Sequence, residues 1–270
     1  MKIDLHIHST ASDGSLPPAG VVSAARAGGL HIIALADHDT IAGVAPAQHA
    51  ASGFLHVIPA LELSTHHNGA ELHMLGYFVD LANPALVQYG ERASSARALR
   101  MHEMIARLAD VGLKVEFDDV LAAAGPLRQS LGRPHLARAM LQRGFVTSVS
   151  EAFDRYIGDD CPAFVPTRLI SPAEAIELIH AAVGLAVWAH PRADQLAAEL
   201  PRFVEWGLDG VECYRPRVAH ADAERMVGLA RDAGLLVTGG SDWHGDWQGR
   251  LGDFALERED VVAFLDAGGI

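Results

Sequence analysis

Two histidines one residue apart, His6 and His8, stand where an apolar run ends near the start of the chain. In an extended strand, residues i and i+2 point the same way, so this pair presents two imidazoles to one cavity. Asp13 follows in a Ser-Asp-Gly loop, near enough along the chain to reach back toward them. Residues of the same two kinds recur further on: His38 between Asp37 and Asp39, Glu62 inside an apolar run, His73 between Leu72 and Met74, His190 before Pro191, and Asp242 with His244. Imidazole and carboxylate without thiolate suit divalent Mn, Fe or Zn. Nine such residues exceed what one ion needs, whereas two or three ions sharing a bridging carboxylate would use them all.

The elements that must position these residues alternate strand with helix. Apolar runs bounded by turn residues occur at 3–6, 31–36, 56–61, 72–79, 185–190, 210–213 and 235–239. Helical spacing falls between them at 18–27, 44–51, 172–182, 194–206 and 219–233, the first and third with Pro in the opening turn. Such alternation predicts a parallel sheet with right-handed crossovers, open or closed into a barrel. Each candidate ligand then follows or ends a strand, apart from His73, which lies within one. Side chains at the C-terminal ends of barrel strands converge on one face. The stretch 84–165 breaks the rhythm, with helical patterns at 85–109, 117–124, 134–142 and 149–156. A loop that long without structure is uncommon in a compact domain. It reads as a helical subdomain inserted over the same end of the barrel, leaving 1–83 and 166–270 as the barrel itself.

Composition narrows the function classes. The 270 residues are enough for a full core, and 50% hydrophobic with 20% charged residues reads as ordinary α/β. A net charge of −13 argues against general affinity for a nucleic-acid backbone, and so against duplex partners. Residues 84–165 hold ten basic and ten acidic side chains, whereas the other 188 hold 11 and 24 and carry the whole deficit. Cys161 and Cys213 are too few for a disulfide framework. No room for a signal peptide precedes Asp4 and His6, and no apolar stretch approaches a membrane span of about 18–20 residues. These features predict a cytoplasmic protein with no membrane partner. The oligomeric state is left open.

Each candidate ligand has a plainer reading. His6 and His8 can be polar strand-end residues, Asp39 or Thr40 beside His38 can cap the next helix, and Asp242 with His244 can shape a Gly-rich turn. Glu62 and His73 fit the plain reading least, because both sit among apolar neighbours where an unpaired polar group is expensive. The alignment of all nine on successive strands favours a shared site. His31, His49, His56, His66, His67, His102, His180 and His220 read as surface or packing residues, and Glu212 as a neighbour of the rim.

With these residues in place, the chain resembles the PHP (polymerase and histidinol phosphatase) family of metal-dependent phosphoesterases. The resemblance rests on His-x-His with a following Asp, the Asp-His pair at 37–38, a Glu and a His about the third and fourth strands, and a late His followed by Asp-x-His. It covers the two barrel segments and implies a distorted seven-stranded β/α barrel of TIM-like type. It also implies that His6, His8, Glu62 and Asp242 hold one ion. Glu62, His73 and His190 would hold a second, and Asp13, His38 and His244 a third, with manganese first and iron or zinc as alternatives. Asp-His-Asp-Thr-Ile at 37–41 and the inserted helices are similar to the stand-alone branch acting on nucleotides. That branch removes the 3′-phosphate of nucleoside 3′,5′-bisphosphates or degrades short oligonucleotides from the 5′ end.

The inserted segment Gly132-Arg133-Pro134-His135 is similar to one found in that branch. Pro134 opens a helix whose free N–H groups attract an anion, and Arg133 adds a planar fork that grips phosphate oxygens. His135 is a candidate substrate contact, and His135, Arg133 or a water on the third ion are the candidates for protonating the leaving oxygen. Two ions a few Å apart activate a shared water for in-line attack and neutralise the phosphoryl oxygens, so catalysis is positioning and electrostatics. Three other readings compete. Many amidohydrolase barrels bridge their metals through a carboxylated lysine, yet Lys2 and Lys114 stand near no suitable strand end. A histidinol-phosphate phosphatase shares the ligand set, and a non-catalytic metal-binding module would bind ions without hydrolysing an ester.

Overall fold

In the computed structural model, which describes residues 1–126, 128–167 and 169–270, seven strands follow one another around a single sheet in chain order. They are β1 (Ile3–Ile7), β2 (Ile32–Leu35), β3 (His56–His67), β4 (Ala70–Tyr77), β5 (Leu185–Trp188), β6 (Gly210–Tyr214) and β7 (Leu236–Gly239). Among the described residues, no ladder forms between β7 and β1. Residues after β7 fill the gap instead, with His8 N–H donating to Trp243 O (2.9 Å) and Ile3 exchanging two hydrogen bonds with Leu256 (2.9 and 2.8 Å). The result is a distorted, nearly closed seven-stranded β/α barrel. Among the described residues, no helix is long and apolar enough to cross a membrane.

One strand departs from the expected parallel arrangement. β4 runs antiparallel to both β3 and β5, while the other neighbouring pairs are parallel. The cause is local. Asn68 and Gly69 both have positive φ (49° and 86°) and join the paired residues His67 and Ala70, the two-residue turn that matches strand twist in a hairpin. Apolar periodicity fades after residue 61, six residues before the strand ends. Backbone pairing nevertheless continues to His67, and Glu62 lies within β3 rather than after it.

Reversal of β4 changes where the next helix starts. α1 (Pro18–Ala27), α2 (Val44–Ala51), α7 (Pro172–Ala181), α8 (Ala193–Glu205) and α9 (His220–Asp232) surround the barrel, and α10 (Val262–Ala267) ends the chain. Tyr77 ends β4 opposite Leu185, where β5 begins, so the chain leaves at the base of the barrel. From there α3 (Pro84–Asp110) rises through 27 residues, about 40 Å, toward the mouth. Asn83 caps it by accepting from Ala85 and Leu86 N–H, with Pro84 at its first position. Above it lie α4 (Phe117–Ala124), α5 (Arg133–Gln142) and α6 (Val149–Ala152), the last followed by a π-helical turn, Phe153–Ile157.

α3 belongs to two cores. Leu86, Tyr89 and Ala93 pack with Ile176, Ile179 and Phe203 against the barrel. Met101, Met104 and Leu108 pack with Val120, Leu136, Met140 and Ile157 in a separate cluster among the upper helices. Between the two halves sits Arg97, in the same apolar stripe and only 4% exposed. Its Nε donates to Asp39 Oδ2 (2.6 Å), Nη2 to Ser64 Oγ (2.7 Å) and Nη1 to Leu131 O (2.9 Å). One buried guanidinium therefore ties β3, the turn after β2 and the upper helices together.

Candidate metal centre

The barrel mouth brings the nine expected residues into one cluster. His6 and His8 project from β1 and the residue beyond it on the same side, and both are fully buried. His38 follows β2, Glu62 and His73 come from facing strands of the hairpin, His190 follows β5, and Asp242 and His244 follow β7. Backbone strain accompanies this convergence: His190 and Asp242 have φ of 36° and 53°, in the region L-residues avoid.

Glu62 stands at the centre with no solvent exposure. Its two oxygens face different groups. Oε1 lies 2.9 Å from His73 Nδ1 and 3.0 Å from His190 Nε2, and those two nitrogens are 3.1 Å apart. Oε2 lies 3.3 Å from Nε2 of both His6 and His8 and 3.0 Å from His38 Nδ1. Asp242 Oδ1 closes the second group at 3.5 Å from His6 Nε2 and 3.2 Å from His8 Nε2. On the far side, Asp13 approaches His244 Nε2 (3.3 Å), His38 Nε2 (3.8 Å) and His8 Nδ1 (3.9 Å).

Three sets of donor atoms thus lie within 4.8 Å of one another: His6, His8, Glu62, Asp242; His38, Glu62, His73; and His8, Asp13, His38, His244. Donors about 2.1 Å from an ion stand roughly 3.0–3.4 Å apart at octahedral to tetrahedral angles. Most of the separations above fall in or near that range. Against the partition the resemblance implies, His38 stands in the second set where His190 was expected, with its Nδ1 3.0 Å from Glu62 Oε2, and His8 joins the third, its ring 4.6 Å from that of His38.

Buried polar atoms test whether cations fit. His6 Nε2, both ring nitrogens of His8, His38 Nδ1 and Glu62 Oε2 are buried without a hydrogen-bond partner among the described residues. Left so, each would cost about 1–3 kcal/mol. All five point into the cluster, where divalent ions would use them. The electrostatics agree. Burial resists charge on His6, but Glu62, Glu212 and Asp242 outweigh it and hold its pKa well above the usual imidazole range. Burial likewise opposes charge on His73 and His244, yet Glu62 raises the first to about 10 and Asp13 the second to about 9. His8, buried and beside His244 and His38, falls to about 3. A cluster whose carboxylates draw positive charge so strongly is built for cations.

Surrounding groups aim these donors. Glu212 Oε1 lies 2.9 Å from His6 Nδ1, and its Oε2 accepts from His190 N–H (2.8 Å). Glu212 therefore touches the far nitrogen of His6 rather than facing the cluster. Glu71 Oε1 does the same for His73 Nε2 at 3.3 Å. Asp37 accepts from Ser9 N–H (2.7 Å), Ser9 Oγ (2.7 Å) and Ser12 Oγ (2.6 Å), folding the loop that carries Asp13. Glu71, Arg97 and Arg100 had no part in the sequence reading. Two signals were available: Glu71 lies two residues before His73, hence on the same strand face, and Arg97 interrupts the stripe Tyr89, Ala93, Met101, Met104.

The upper helices roof the cluster. Gln129 N–H donates to Ala11 O (2.7 Å), and Arg138 donates to Asp13 O. A Cβ on Gly132 would meet Asp13 Oδ2 at 2.8 Å, so the start of α5 approaches as closely as only glycine permits. Beneath it lies a cavity of about 280 Å3 lined by Asp13, His38, Glu71, His73, Asp242 and His244 together with Arg97, Arg100 and Arg133. Arg100 Nη2 is buried there without a hydrogen-bond partner among the described residues and 3.5 Å from Glu71. Arg133 reaches the cavity while pairing with Asp159 at 2.7 Å. His135 is placed differently. It is fully buried, its Nδ1 accepts from Gly132 N–H (3.0 Å), and it does not wall the cavity.

Known proteins share this chain's length and shape. No protein-family model matches it. A 5′–3′ exoribonuclease of Haemophilus influenzae is 34% identical over 249 residues, 90% of each chain. A 3′,5′-nucleoside bisphosphate phosphatase of Chromobacterium violaceum is 32% identical over 257 residues, covering 92% of this chain and 89% of that one. A Bifidobacterium adolescentis structure named for metal-dependent phosphoesterase activity superposes with a TM-score of 0.89 at 32% identity, covering 99% and 96% of the two chains. Relatives that hydrolyse phosphate esters, aligned over nearly the whole barrel and roof, agree with a mouth built for cations: the chain belongs to the PHP family of metal-dependent phosphoesterases.

Proposed function

We propose that the nine clustered residues hold two or three divalent ions, manganese first, and that the enzyme removes the 3′-phosphate of nucleoside 3′,5′-bisphosphates. The observation that carries this reading is Glu62, whose two oxygens each serve a separate group of imidazoles. A carboxylate so divided would hold two ions, one at each oxygen. Bound there, such ions supply an activated water and positive charge for the phosphoryl oxygens.

The chain's own residues do the rest. Two phosphates need two anion sites, and the cavity has one at the cluster and another at its arginine wall. Arg100, whose Nη2 pairs with Glu71 at 3.5 Å without a hydrogen bond, and Arg133 would take the 5′-phosphate, and the nearby first turn of α5 adds the positive end of a helix. Anchoring that phosphate fixes the 3′-phosphorus over the cluster, turning binding energy into orientation. Glu212 and Glu71 hold the rings of His6 and His73, and so the electrostatics, ready before substrate arrives. His135 acts on this reading by holding Gly132 N–H rather than by giving a proton.

A second reading shares the same chemistry. In a 5′-phosphorylated oligonucleotide the bond cut also lies between a 3′ oxygen and the next phosphorus, which there carries more chain. The likeness to an exoribonuclease supports this reading. The test is metal content of the purified protein together with phosphate release from adenosine 3′,5′-bisphosphate, AMP and histidinol phosphate. We expect bound metal and a clear preference for the bisphosphate. Preference for histidinol phosphate would overturn the substrate, and bound metal with no hydrolysis would make the protein a binding module.

A further inference from the structure

Asp242 borders two spaces. One is the cavity under the roof. The other is a groove of about 440 Å3 bounded by Arg215, Arg217, Gln248, Arg250 and Phe254. The metal cluster therefore lies between the two spaces, with Asp242 common to both. We propose that this groove takes the sugar–phosphate backbone of the nucleotides 3′ to the bond being cut. A short single strand would then run from the roofed cavity across the cluster and out past Asp242. This deepens the nucleotide-phosphoesterase reading and rests on it.

Charge supports that occupant. The chain as a whole carries −13, yet the groove gathers three guanidinium groups, and none of them makes an ion pair among the described residues. Arg215 is held beside His190 by donating from Nη2 to Pro191 O (3.1 Å), and its Nε is buried without a partner among the described residues. Arg217 has φ of 66°, an unfavourable backbone for a side chain that does no more than meet solvent. The one acid of the groove besides Asp242 is Asp253, whose Oδ2 already accepts from Arg250 N–H (2.8 Å). Basic side chains following a backbone, with an aromatic face such as Phe254 for a base, make up a single-strand site.

Size separates the two spaces. At about 280 Å3 the roofed cavity lies at the lower limit of small-molecule pockets, room for one nucleotide end rather than a strand. A longer substrate needs surface beyond that cavity, and the arginine groove supplies it beside a ligand of the cluster. Hydrolysis balances in either case. Water oxygen joins phosphorus, the bond from phosphorus to the 3′ oxygen breaks, and that oxygen takes a proton. The phosphoryl group departs as inorganic phosphate or stays as the new 5′ end of the downstream strand.

The test compares wild type with the double variant R217E/R250E on adenosine 3′,5′-bisphosphate and on a 5′-phosphorylated pentaribonucleotide. We expect the ratio of kcat/KM for the pentanucleotide to that for the bisphosphate to fall by about tenfold or more, with a shallower salt dependence on the longer substrate. An unchanged ratio, or a wild-type enzyme that cuts the bisphosphate but never the pentanucleotide, overturns the groove and leaves the phosphatase reading standing. Binding of a 3′-fluorescein pentanucleotide, followed by anisotropy in chelator, decides the matter if neither substrate is cut. Weaker binding by the variant then supports the groove while the proposed reaction fails, and equal binding overturns it.

Discussion

Glu62 shows how one side chain can set the chemistry of a whole site. It is buried among imidazoles, and each of its oxygens faces a different set of nitrogens at 2.9–3.3 Å. Replacing Glu62 by Gln keeps the shape but removes the shared negative charge. We expect loss of at least one bound ion per chain and a fall in kcat/KM of about a thousandfold, with an unaltered circular dichroism spectrum. Metal content measured beside the rate checks this, and a variant retaining both would refute the bridging role. Ligands of this kind are readable from sequence because their chemistry demands particular residue types at strand ends. Arg100 was not readable. Its meaning depends on the path of α3, and a helix arginine usually just meets water.

The β3–β4 hairpin and α3 carry the lesson at the level of elements. Seven strands were countable from apolar runs, and most helix bounds followed from caps and periodicity. The reversed strand was missed although Asn68-Gly69 signalled it, because two histidines and a glutamate around that turn hid the alternation. Arg97 shows what such an element requires to stay in place. Its pairing with Asp39 is buried at both ends, so Arg97→Ala strands a carboxylate that Tyr89 and Ser64 only partly satisfy. We expect a loss of about 3–5 kcal/mol in stability. Thermal unfolding reads this as a drop of about 2–4 °C for each kcal/mol. A drop no larger than that of an exposed control such as Arg225→Ala would refute the clamp.

Across the whole molecule, charge is unevenly shared. The barrel segments hold 24 acidic against 11 basic residues, while 84–165 is balanced. Part of that deficit converges on the mouth, so ions bound there should stabilise the fold as well as the reaction. Ligand linkage gives about 2.7 kcal/mol when free ion exceeds its dissociation constant a hundredfold. We expect dialysis against chelator to lower Tm and added Mn2+ to restore it. A melting curve indifferent to both would argue against a shared centre.

Because one unbroken helix is anchored in both cores and pinned midway by Arg97, the roof cannot swing as a door does. Opening it would mean bending α3 and breaking its ladder of backbone hydrogen bonds. An entrance framed in this way would sort substrates by what passes through it rather than by a closing step.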